Sequence, residues 1–409
     1  MASDERAVLD AVPKALLIGG EWREASSGAR LTVEDPSTAE PLCEVADAGA
    51  ADALAALSAA DGVQPAWAAC PPRERSEILR RSYDAIVRRV DELALLMTLE
   101  MGKALSESRA EVLYAADFLR WFGEEAVRID GRYTLAPNGQ SRLFVLRQPV
   151  GPCVLITPWN FPMAMGTRKI GPAIAAGCTM VVKPAQQTPL SMLMLARILG
   201  EAGLPGGVLN VITASRASEV VEPLLRDART RKVSFTGSTK VGKLIATQAA
   251  QNLLRVSLEL GGNAPFVVFD DADIDAAIEG AMIAKHRNIG QACTAANRFH
   301  VSERLAAQFT ERLASRTESL RVGRGTEPDV QVGPLIDEAG RRKVTELVGD
   351  ALQRGASAVT GGRAIEGRGY FYQPTVLADV PREARLLKEE IFGPVAPVRG
   401  FSDEDEAIA

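Results

Sequence analysis

The sequence predicts an α/β fold with two main domains, each built on a mostly parallel sheet. Between residues 150 and 259, short runs that are apolar throughout alternate with helical segments, and a second alternating series begins near Ala264. Strands that are apolar on both faces and alternate with helices are typical of a parallel sheet covered on both sides. The chain has 409 residues, 46% of them hydrophobic, which is more than a single core usually supports.

The elements of the first series follow one another in a regular order. The apolar runs predict strands at 152–156, 179–182, 208–212 and 232–235, and helices are predicted from Met163, Thr188, Ser215 and Thr239. Sheets of this kind bind ligands at the carboxyl ends of their strands. We therefore expect functional residues in the loops that follow these strands.

Helical segments precede this series. After a short strand-like start, the spacing of apolar residues predicts helices at 50–60, 73–99 and 103–128. Turn residues and an extended apolar run then predict a hairpin over residues 131–149.

The second series predicts a strand at 266–269, helices from Asp273, Ser302 and Glu338, and strands near Ala356 and Tyr372. Residues 401–403 are typical of a helix start, and the sequence ends at Ala409. We therefore expect a chain that is incomplete at its C-terminus.

Composition excludes several classes of function. The formal net charge is -5, so there is no basic surface for nucleic acid or an anionic membrane. No run approaches the ~20 apolar residues of a membrane span. Five cysteines without C-x-x-C spacing and two histidines argue against a disulfide framework or a metal site. We expect no metal and a cytoplasmic location.

Three residues could carry covalent chemistry. Cys293 lies in a loop of small residues, Glu259 ends a strand before two glycines, and Asn160 lies in a proline-bounded loop after another strand. A thiol can act as a nucleophile, a carboxylate as a general base, and an amide as an oxyanion donor. Taken singly, each also suits a structural role: a buried thiol, a surface carboxylate or a rigid turn.

Two further segments suit a nucleotide. Lys183 follows a strand, and residues 235–244 join a strand to a helix through glycines that allow phosphate to approach the helix N-terminus. The second segment nearly matches the P-loop, but Leu244 stands where a Mg²⁺-binding hydroxyl is required. A strict G-x-G-x-x-G is absent as well.

Together, the motifs resemble the aldehyde dehydrogenase family. They are P-W-N-F-P (158–162), V-V-K-P-A (181–185), F-T-G-S-T-K-V-G (235–242), L-E-L-G-G-N (258–263), G-Q-A-C (290–293) and K-E-E-I-F-G-P-V (388–395). The resemblance implies a Rossmann-like cofactor domain at 1–130 and 150–259, an oligomerisation hairpin at 131–149 and an α/β catalytic domain at 260–409.

The resemblance also implies roles for individual residues. Cys293 would attack the aldehyde, Asn160 and the Cys293 N–H would hold the oxyanion, and Glu259 would activate water. NADP or NAD would be the cofactor. The residues expected to bind it are Thr157, Trp159, Lys183, Gln186, Gly237, Ser238, Gly242, Leu260, Glu390 and Phe392.

Two arginines point to the substrate. Within the family, members that oxidise succinate semialdehyde are the closest match, and they use arginines at the positions of Arg168 and Arg287 to bind the remote carboxylate. Guanidinium suits a carboxylate bidentately. Each arginine could instead be an ordinary surface charge. A glutarate-semialdehyde enzyme or a generic aldehyde dehydrogenase are the alternatives.

Three departures from the family pattern carry expectations. Ala295 replaces a cysteine of some relatives, so we expect no disulfide at Cys293. Gln186 replaces a glutamate common in NAD-specific relatives, so we expect NADP to be accepted. The family continues beyond Ala409 with a tail that serves subunit assembly, so we expect a homo-oligomer, a dimer or a tetramer, only in a longer chain.

Three other functions remain possible at this point. A P-loop ATPase is disfavoured by Leu244. A cysteine hydrolase could pair Cys293 with His286 or His300. A truncated, non-catalytic relative could bind cofactor without turnover.

Overall fold

The computed structural model describes residues 3–408, which form two compact units. Unit 1 contains the chain up to Val33, Cys43–Leu96 and Arg109–Glu259, and unit 2 contains Glu34–Leu42, Met97–Ser108 and the chain from Leu260 onwards. The predicted α/β class is confirmed, because each unit has a largely parallel sheet with helices.

The elements are numbered in chain order. The helices are α1 (Ser3–Ala11), α2 (Ala50–Ala69), α3 (Pro72–Arg88), α4 (Val90–Met101), α5 (Leu105–Glu125), α6 (Ala164–Ala175), α7 (Leu190–Glu201), α8 (Ala217–Arg226), α9 (Thr239–Gln251), α10 (Ile274–His286), α11 (Glu303–Glu318), α12 (Glu338–Gln353) and α13 (Glu404–Ile408). Short 3-10 turns lie at Ala126–Arg128, Arg287–Gly290 and Arg385–Leu387.

The strands are β1 (Leu16–Ile18), β2 (Glu21–Arg23), β3 (Arg30–Asp35), β4 (Glu40–Ala46), β5 (Arg132–Leu135), β6 (Arg142–Val145), β7 (Cys153–Ile156), β8 (Met180–Lys183), β9 (Leu209–Val211), β10 (Lys232–Thr236), β11 (Arg255–Glu259), β12 (Ala264–Val268), β13 (Ala296–Ser302), β14 (Ser357–Thr360), β15 (Thr375–Ala378) and β16 (Val395–Phe401).

The sheet of unit 1 has the order β11-β10-β7-β8-β9-β1-β2. The five strands from β11 to β9 are parallel, and β1 and β2 extend the sheet antiparallel. The chain builds β7, β8 and β9 towards one side and then returns to place β10 and β11 on the other. The strand order therefore reverses between β7 and β10, and such a reversal opens a ligand crevice at the carboxyl ends of the two strands.

Burial explains why the strands of this sheet have the sequence they do. Every residue of β7, β8 and β9 is buried, as the apolar runs predict. The covering helices are amphipathic. Helix α8, for example, buries Val220, Val221, Leu224 and Leu225 at helical spacing.

The sheet of unit 2 has the order β12-β13-β16-β15-β14, parallel except for β14. Its core on one side includes Phe299 and Phe309, whose ring centroids lie 6.4 Å apart. A second cluster gathers Leu335, Leu347 and Val395 around α12.

The predicted hairpin at 131–149 is present as β5 and β6, which pair antiparallel with Arg132 opposite Val145. Its side chains are almost all exposed, and several are large and apolar, with Phe144 70% exposed. Two strands alone are marginally stable in water, and exposed apolar surface of this kind indicates an interaction site.

Three sequence predictions about helices and strands were wrong in detail. The single helix predicted at 73–99 is two helices, α3 and α4, because the chain turns at Arg89. Helix α2 runs past 60 to Ala69 in spite of Pro65, because Gln64 bonds the carbonyl of Gly177 and the N–H of Thr179 and so ties the second half down. The strand-like start is preceded by α1 and followed by three further short strands.

None of the helices among residues 3–408 combines the length and the apolar character that a bilayer crossing requires.

Candidate active site

Four polar residues lie at the carboxyl edge of the unit 1 sheet. Thr157 follows β7, Lys183 ends β8, Thr236 ends β10 and Glu259 ends β11. The register places them on neighbouring strands, because Ile156 is opposite both Lys183 and Phe235, and Thr236 is opposite Glu259. This edge contains the strand-order reversal, so the sequence motifs meet where the topology predicts a ligand crevice.

Two hydroxyls at this crevice lack partners. The Oγ1 atoms of Thr157 and Thr236 are buried, and neither has a hydrogen-bond partner within residues 3–408. Leaving a buried hydroxyl unpaired costs free energy, and native proteins satisfy most such groups. The two hydroxyls lie at the ends of adjacent strands at the reversal point. The polar groups of a bound dinucleotide would satisfy them, and the residues present suit such a ligand.

Lys183 adds a cation to the same edge. Its side chain is 6% exposed, and burial lowers the pKa of its ammonium to about 8 although Asp47 opposes the shift. Gln186, three residues on, is exposed on the following loop. A buried cation next to an open, uncharged loop is suited to phosphate.

The turn from β10 into α9 presents backbone donors. A Cβ on Gly237 would lie 2.5 Å from the ring of Phe235, so only glycine avoids this clash. Ser238 caps α9, accepting a hydrogen bond from the N–H of Val241 at 3.3 Å, and Gly242 is buried inside the helix. The N-terminus of this 13-residue helix is positively polarised, which favours an anion.

The loop that carries Asn160 is fixed by a carboxylate that the sequence motifs do not reveal. Glu111 of α5 accepts hydrogen bonds from the backbone N–H groups of Met163 and Ala164, at 3.0 and 3.2 Å. Asn160 and Glu111 are both buried. A charge-assisted cap of this kind holds the start of α6 and the Asn160 loop in one conformation.

A second group missed from the sequence is Lys169. Its Nζ donates to Ser234 Oγ at 2.8 Å, and burial lowers its pKa to about 8, while the charge of Glu259 favours the ammonium. Glu259 itself is exposed, as a base that meets water must be. A buried lysine beside a strand-end glutamate has no local sequence signal, since Lys169 follows Arg168 in an ordinary amphipathic helix.

In unit 2, Cys293 is exposed and lies in the loop between a 3-10 turn and β13. The preceding residues Asn288, Ile289 and Gly290 all have positive φ, at 55°, 63° and 69°. For a β-branched residue such as Ile289 this conformation is strained, and such strain is retained where the surroundings enforce it.

Specific hydrogen bonds enforce this turn. The N–H of Asn288 donates to Glu107 Oε1 at 2.6 Å, and the Asn288 amide donates to the carbonyl of Gln291 at 2.9 Å. The Gln291 side chain in turn accepts from the N–H of Ile336 at 3.1 Å. The nucleophile candidate therefore stands on a rigid loop although its own side chain is accessible.

The glycine segment after β11 lies beside the same loop and contacts Glu390. A Cβ on Gly262 would lie 3.6 Å from the Cys293 carbonyl oxygen, and the Gly262 N–H lies 3.4 Å from Glu390 Oε1. Burial raises the pKa of Glu390. In the sequence, Leu260 precedes this glycine segment, and Phe392, with φ of 57°, comes two residues after Glu390.

The two histidines are not placed to activate Cys293. His286 is buried, its Nε2 shares a hydrogen bond with Thr317 Oγ1 at 3.1 Å, and burial lowers its pKa to about 3. His300 lies within β13, opposite Val267 and Arg399. Neither ring hydrogen-bonds Cys293 within the described chain, which disfavours the cysteine hydrolase alternative.

The two arginines have different surroundings. Arg168 on α6 donates to Tyr114 Oη at 2.5 Å and lies over the ring of Phe118, at 5.1 Å from its centroid. No carboxylate within residues 3–408 forms an ion pair with it. Arg287 is exposed at the start of the 3-10 turn that leads to Cys293. Arg168 is thus oriented by aromatic rings but not neutralised, unlike most arginines in this protein, which pair with acids.

Comparison with known proteins agrees with these observations. The model of the aldehyde dehydrogenase family matches residues 22–409. The chain is 58% identical to succinate-semialdehyde dehydrogenase of Paenarthrobacter nicotinovorans, over 90% of this chain and 82% of that protein. It is 48% identical to glutarate-semialdehyde dehydrogenase of Pseudomonas aeruginosa, over 96% and 81%.

Among solved structures, the NADP-dependent enzyme of E. coli superimposes with a TM-score of 0.96 at 48% identity, covering 98% of this chain and 83% of that one. The resemblance inferred from the motifs is therefore confirmed. This result disfavours the P-loop ATPase alternative, because the segment at 235–244 is accounted for by this family's fold. The chain belongs to the aldehyde dehydrogenase family, as an NAD(P)-dependent oxidoreductase.

Proposed function

We propose that this protein oxidises an aldehyde that carries a second, remote carboxylate, with succinate semialdehyde as the first candidate and succinate as the product. The observation that carries the proposal is Arg168, a guanidinium held by Tyr114 and Phe118 and paired with no acid in the described chain. A guanidinium without an acidic partner can bind a substrate carboxylate without first breaking an ion pair. Arg287 supplies a second cation at the start of the Cys293 turn.

The covalent step belongs to Cys293. Its thiolate attacks the aldehyde carbon, and the carbonyl oxygen becomes an oxyanion that the amide of Asn160 and the Cys293 N–H stabilise. Loss of hydride from this thiohemiacetal leaves a thioester on Cys293. Glu259, exposed at the end of β11, then removes a proton from water, and attack of that water releases the acid and the free thiol.

The cofactor supplies one part of the chemistry, because a bound NAD(P)+ accepts the hydride. In unit 1 the residues proposed to hold its adenosine and phosphate groups are Thr157, Trp159, Lys183, Gln186, Gly237, Ser238 and Gly242. In unit 2, Leu260, Glu390 and Phe392 are proposed to bind the nicotinamide and its ribose. The unpaired hydroxyl of Thr157 and the N-terminus of α9 support this assignment.

A substrate panel with an Arg168→Gln variant tests the proposal. Losing a charge-assisted hydrogen bond costs about 1.5–3 kcal/mol, so kcat/KM for succinate semialdehyde should fall roughly 10- to 100-fold. Oxidation of a neutral aldehyde of similar length, such as butanal, should change by less than about 3-fold, because the lost bond is specific to the carboxylate.

The matched control is Arg120→Gln, which removes an exposed arginine of α5 that pairs with Asp117. This control variant should leave kcat/KM for both substrates unchanged. Equal losses on the carboxylated and the neutral aldehyde in the Arg168 variant would contradict the proposal and leave an aldehyde dehydrogenase without a carboxylate preference.

The second candidate is glutarate semialdehyde, because the relative from Pseudomonas aeruginosa that bears this name is 48% identical over nearly the whole chain. The two substrates differ by one methylene, which is worth only about 1–3 kcal/mol in a pocket. The same panel separates them by the ratio of their kcat/KM values.

A further inference from the structure

A pair of buried thiols lies at the opposite end of the unit 1 sheet from the candidate active site. Cys153 is the first residue of β7, and Cys178 lies two residues before β8. The two strands pair in parallel, and the Cys153 N–H donates to the carbonyl of Thr179 at 2.9 Å. The side chains are 3% and 4% exposed, and both are free thiols. The Cys153 thiol donates to the carbonyl of Gly151 at 3.4 Å, and each of the two thiols shifts the pKa of the other.

The backbone around these sulfurs is shaped to present N–H groups. Gly151 lies two residues before Cys153, and Gly177 lies directly before Cys178. Their φ angles of 115° and 76° fall in a region that favours glycine. The backbone amides of Val150 and Gly151 both lower the pKa of Cys178. Backbone amides close to one atom favour its anionic form.

Positive charge surrounds the same point. Arg75 is buried, donates to the carbonyl of Ala175 at 3.1 Å, and its Nη1 would lie 3.2 Å from a Cβ on Gly177. The Cys153 thiol, the two amides and the charge of Arg75 together lower the pKa of Cys178 to about 6 although burial opposes the shift. The thiolate of Cys178 is thus stabilised from several sides, which is the environment of a reactive cysteine.

A cavity lies beside the segments that carry this pair. A cavity of about 1140 Å³ is lined by Arg75, Val150, Ala175 and Ala176, which flank the two cysteines. Arg147, Arg231 and Arg255 also line it, and none of these three forms an ion pair within the described chain. Such a cavity brings a small oxidant to the neighbouring residues Val150 and Ala176, and the burial of the sulfurs disfavours larger reagents.

We propose that Cys153 and Cys178 form an oxidisable dithiol, a modification site that a peroxide converts to an intrachain disulfide. The Cys178 thiolate attacks one peroxide oxygen and the O–O bond breaks. Hydroxide departs as the leaving group, and Cys178 becomes a sulfenic acid. The Cys153 sulfur then attacks Cys178, an S–S bond forms, and the S–O bond breaks to release water. Two thiols lose two electrons and two protons, and the peroxide is reduced to water.

This site is independent of the proposed substrate chemistry. Cys153 and Cys178 lie at the amino ends of β7 and β8, whereas Thr157 and Lys183 lie at their carboxyl ends. The two cysteines also differ from Cys293, for which no disulfide partner is expected.

Peptide mapping of the full chain tests the proposal. The protein is treated with hydrogen peroxide, remaining thiols are blocked with iodoacetamide, and a non-reducing digest is analysed by mass spectrometry. We expect a Cys153–Cys178 linked peptide and two fewer titratable thiols. In Cys153→Ser, dimedone should trap a sulfenic acid on Cys178. The control variant Cys43→Ser, which changes a half-buried cysteine of β4, should form the link as the wild type does.

Two outcomes would overturn the proposal. One is a wild-type digest without the linked peptide in which the half-buried Cys70 is already oxidised. The other is dimedone labelling of Cys178 in the wild type at the level seen in Cys153→Ser, since that would show that Cys153 does not resolve the sulfenic acid. The wild-type map alone decides the first outcome, so the test does not depend on how well either variant folds.

Discussion

At the scale of single residues, the members of the candidate site differ in how far their surroundings bury them. Asn160 and Lys183 are buried, whereas Glu259, Gln186 and Cys293 are exposed. The exposed members are those proposed to meet water, substrate or the edge of the cofactor. The exposure of each residue thus agrees with the partner that it is proposed to bind.

Gln186 is proposed to decide how the cofactor's 2′-phosphate is tolerated. A carboxylate at this exposed position would repel the phosphate, while neutral Gln186 near the Lys183 ammonium does not. For Gln186→Glu we expect kcat/KM with NADP to fall by roughly 10-fold, the effect of about 1.4 kcal/mol, with little change for NAD.

The measurement is a pair of initial-rate series at fixed ionic strength, because salt screens exposed charges. Gln251→Glu, at the last residue of α9, introduces the same charge elsewhere in unit 1 and should leave the cofactor ratio unaltered. A wild-type enzyme with a strong NAD preference would count against an NADP role for Gln186.

Much of the site could be predicted at this scale, and the reason is local. Cys293, Glu259, Asn160 and Lys183 all lie in loops or strand ends with a recognisable neighbourhood in the sequence. Glu107 and Lys169, and Glu111 with them, could not be found in this way. Each acts on a residue far along the chain, and nothing in a helix pattern separates an inward carboxylate or lysine from a solvent-facing one.

At the scale of elements, the turn from α10 to β13 determines where Cys293 stands. Asn288, Ile289 and Gly290 are left-handed in succession, and Glu107 of α5 holds the first of them. The sequence predicts a helix from Asp273 and a loop near Cys293, but it does not predict three consecutive positive φ angles. Ile289 disfavours that conformation, so tertiary bonds had to override local preference.

Glu107→Ala tests the importance of this turn. Removing the carboxylate leaves the buried N–H of Asn288 without its acceptor, which costs about 1–3 kcal/mol. We expect a lower thermal midpoint and a kcat that falls more than KM rises, because the turn positions the proposed nucleophile rather than the remote end of the substrate. Thermal melts and steady-state kinetics measure both.

Glu107→Gln keeps an acceptor oxygen and should recover most of the loss. Glu124→Ala makes the same truncation at an exposed position of the same helix and should be neutral. If Glu107→Ala and Glu124→Ala behaved alike, the turn would not depend on this hydrogen bond.

At the scale of the whole molecule, the hairpin of β5 and β6 is the least self-sufficient part. Its apolar side chains Tyr133, Leu143 and Phe144 are exposed, although Tyr133 and Phe144 contact each other with ring centroids 5.1 Å apart. We propose that it binds a second copy of the chain, and that this contact forms even without the C-terminal tail that the family resemblance implies. The domain limits predicted at residues 130 and 149 also remain a prediction.

Phe144→Ser should weaken that assembly. Exposing a serine in place of a large aromatic removes apolar area from the proposed contact without touching a core, so the thermal midpoint of the dilute protein should hardly move. Analytical ultracentrifugation over a concentration series should show a higher dissociation constant for the oligomer.

Ile283→Ser alters an exposed apolar residue of α10 in unit 2, 67% exposed against 70% for Phe144, and should leave assembly unchanged. A wild-type chain that sediments as a monomer at all concentrations would refute a role for the hairpin in assembling this chain.

The left-handed run before Cys293 means that the sulfur proposed to react owes its position to tertiary packing and not to the peptide around it. A short peptide of this sequence would leave Ile289 in an ordinary extended or helical state and would not reproduce the loop. Residues brought from far along the chain, Glu107 and Ile336, maintain it. The proposed nucleophile therefore reaches its position only when unit 2 is packed, and a partly folded chain would carry Cys293 on an ordinary loop.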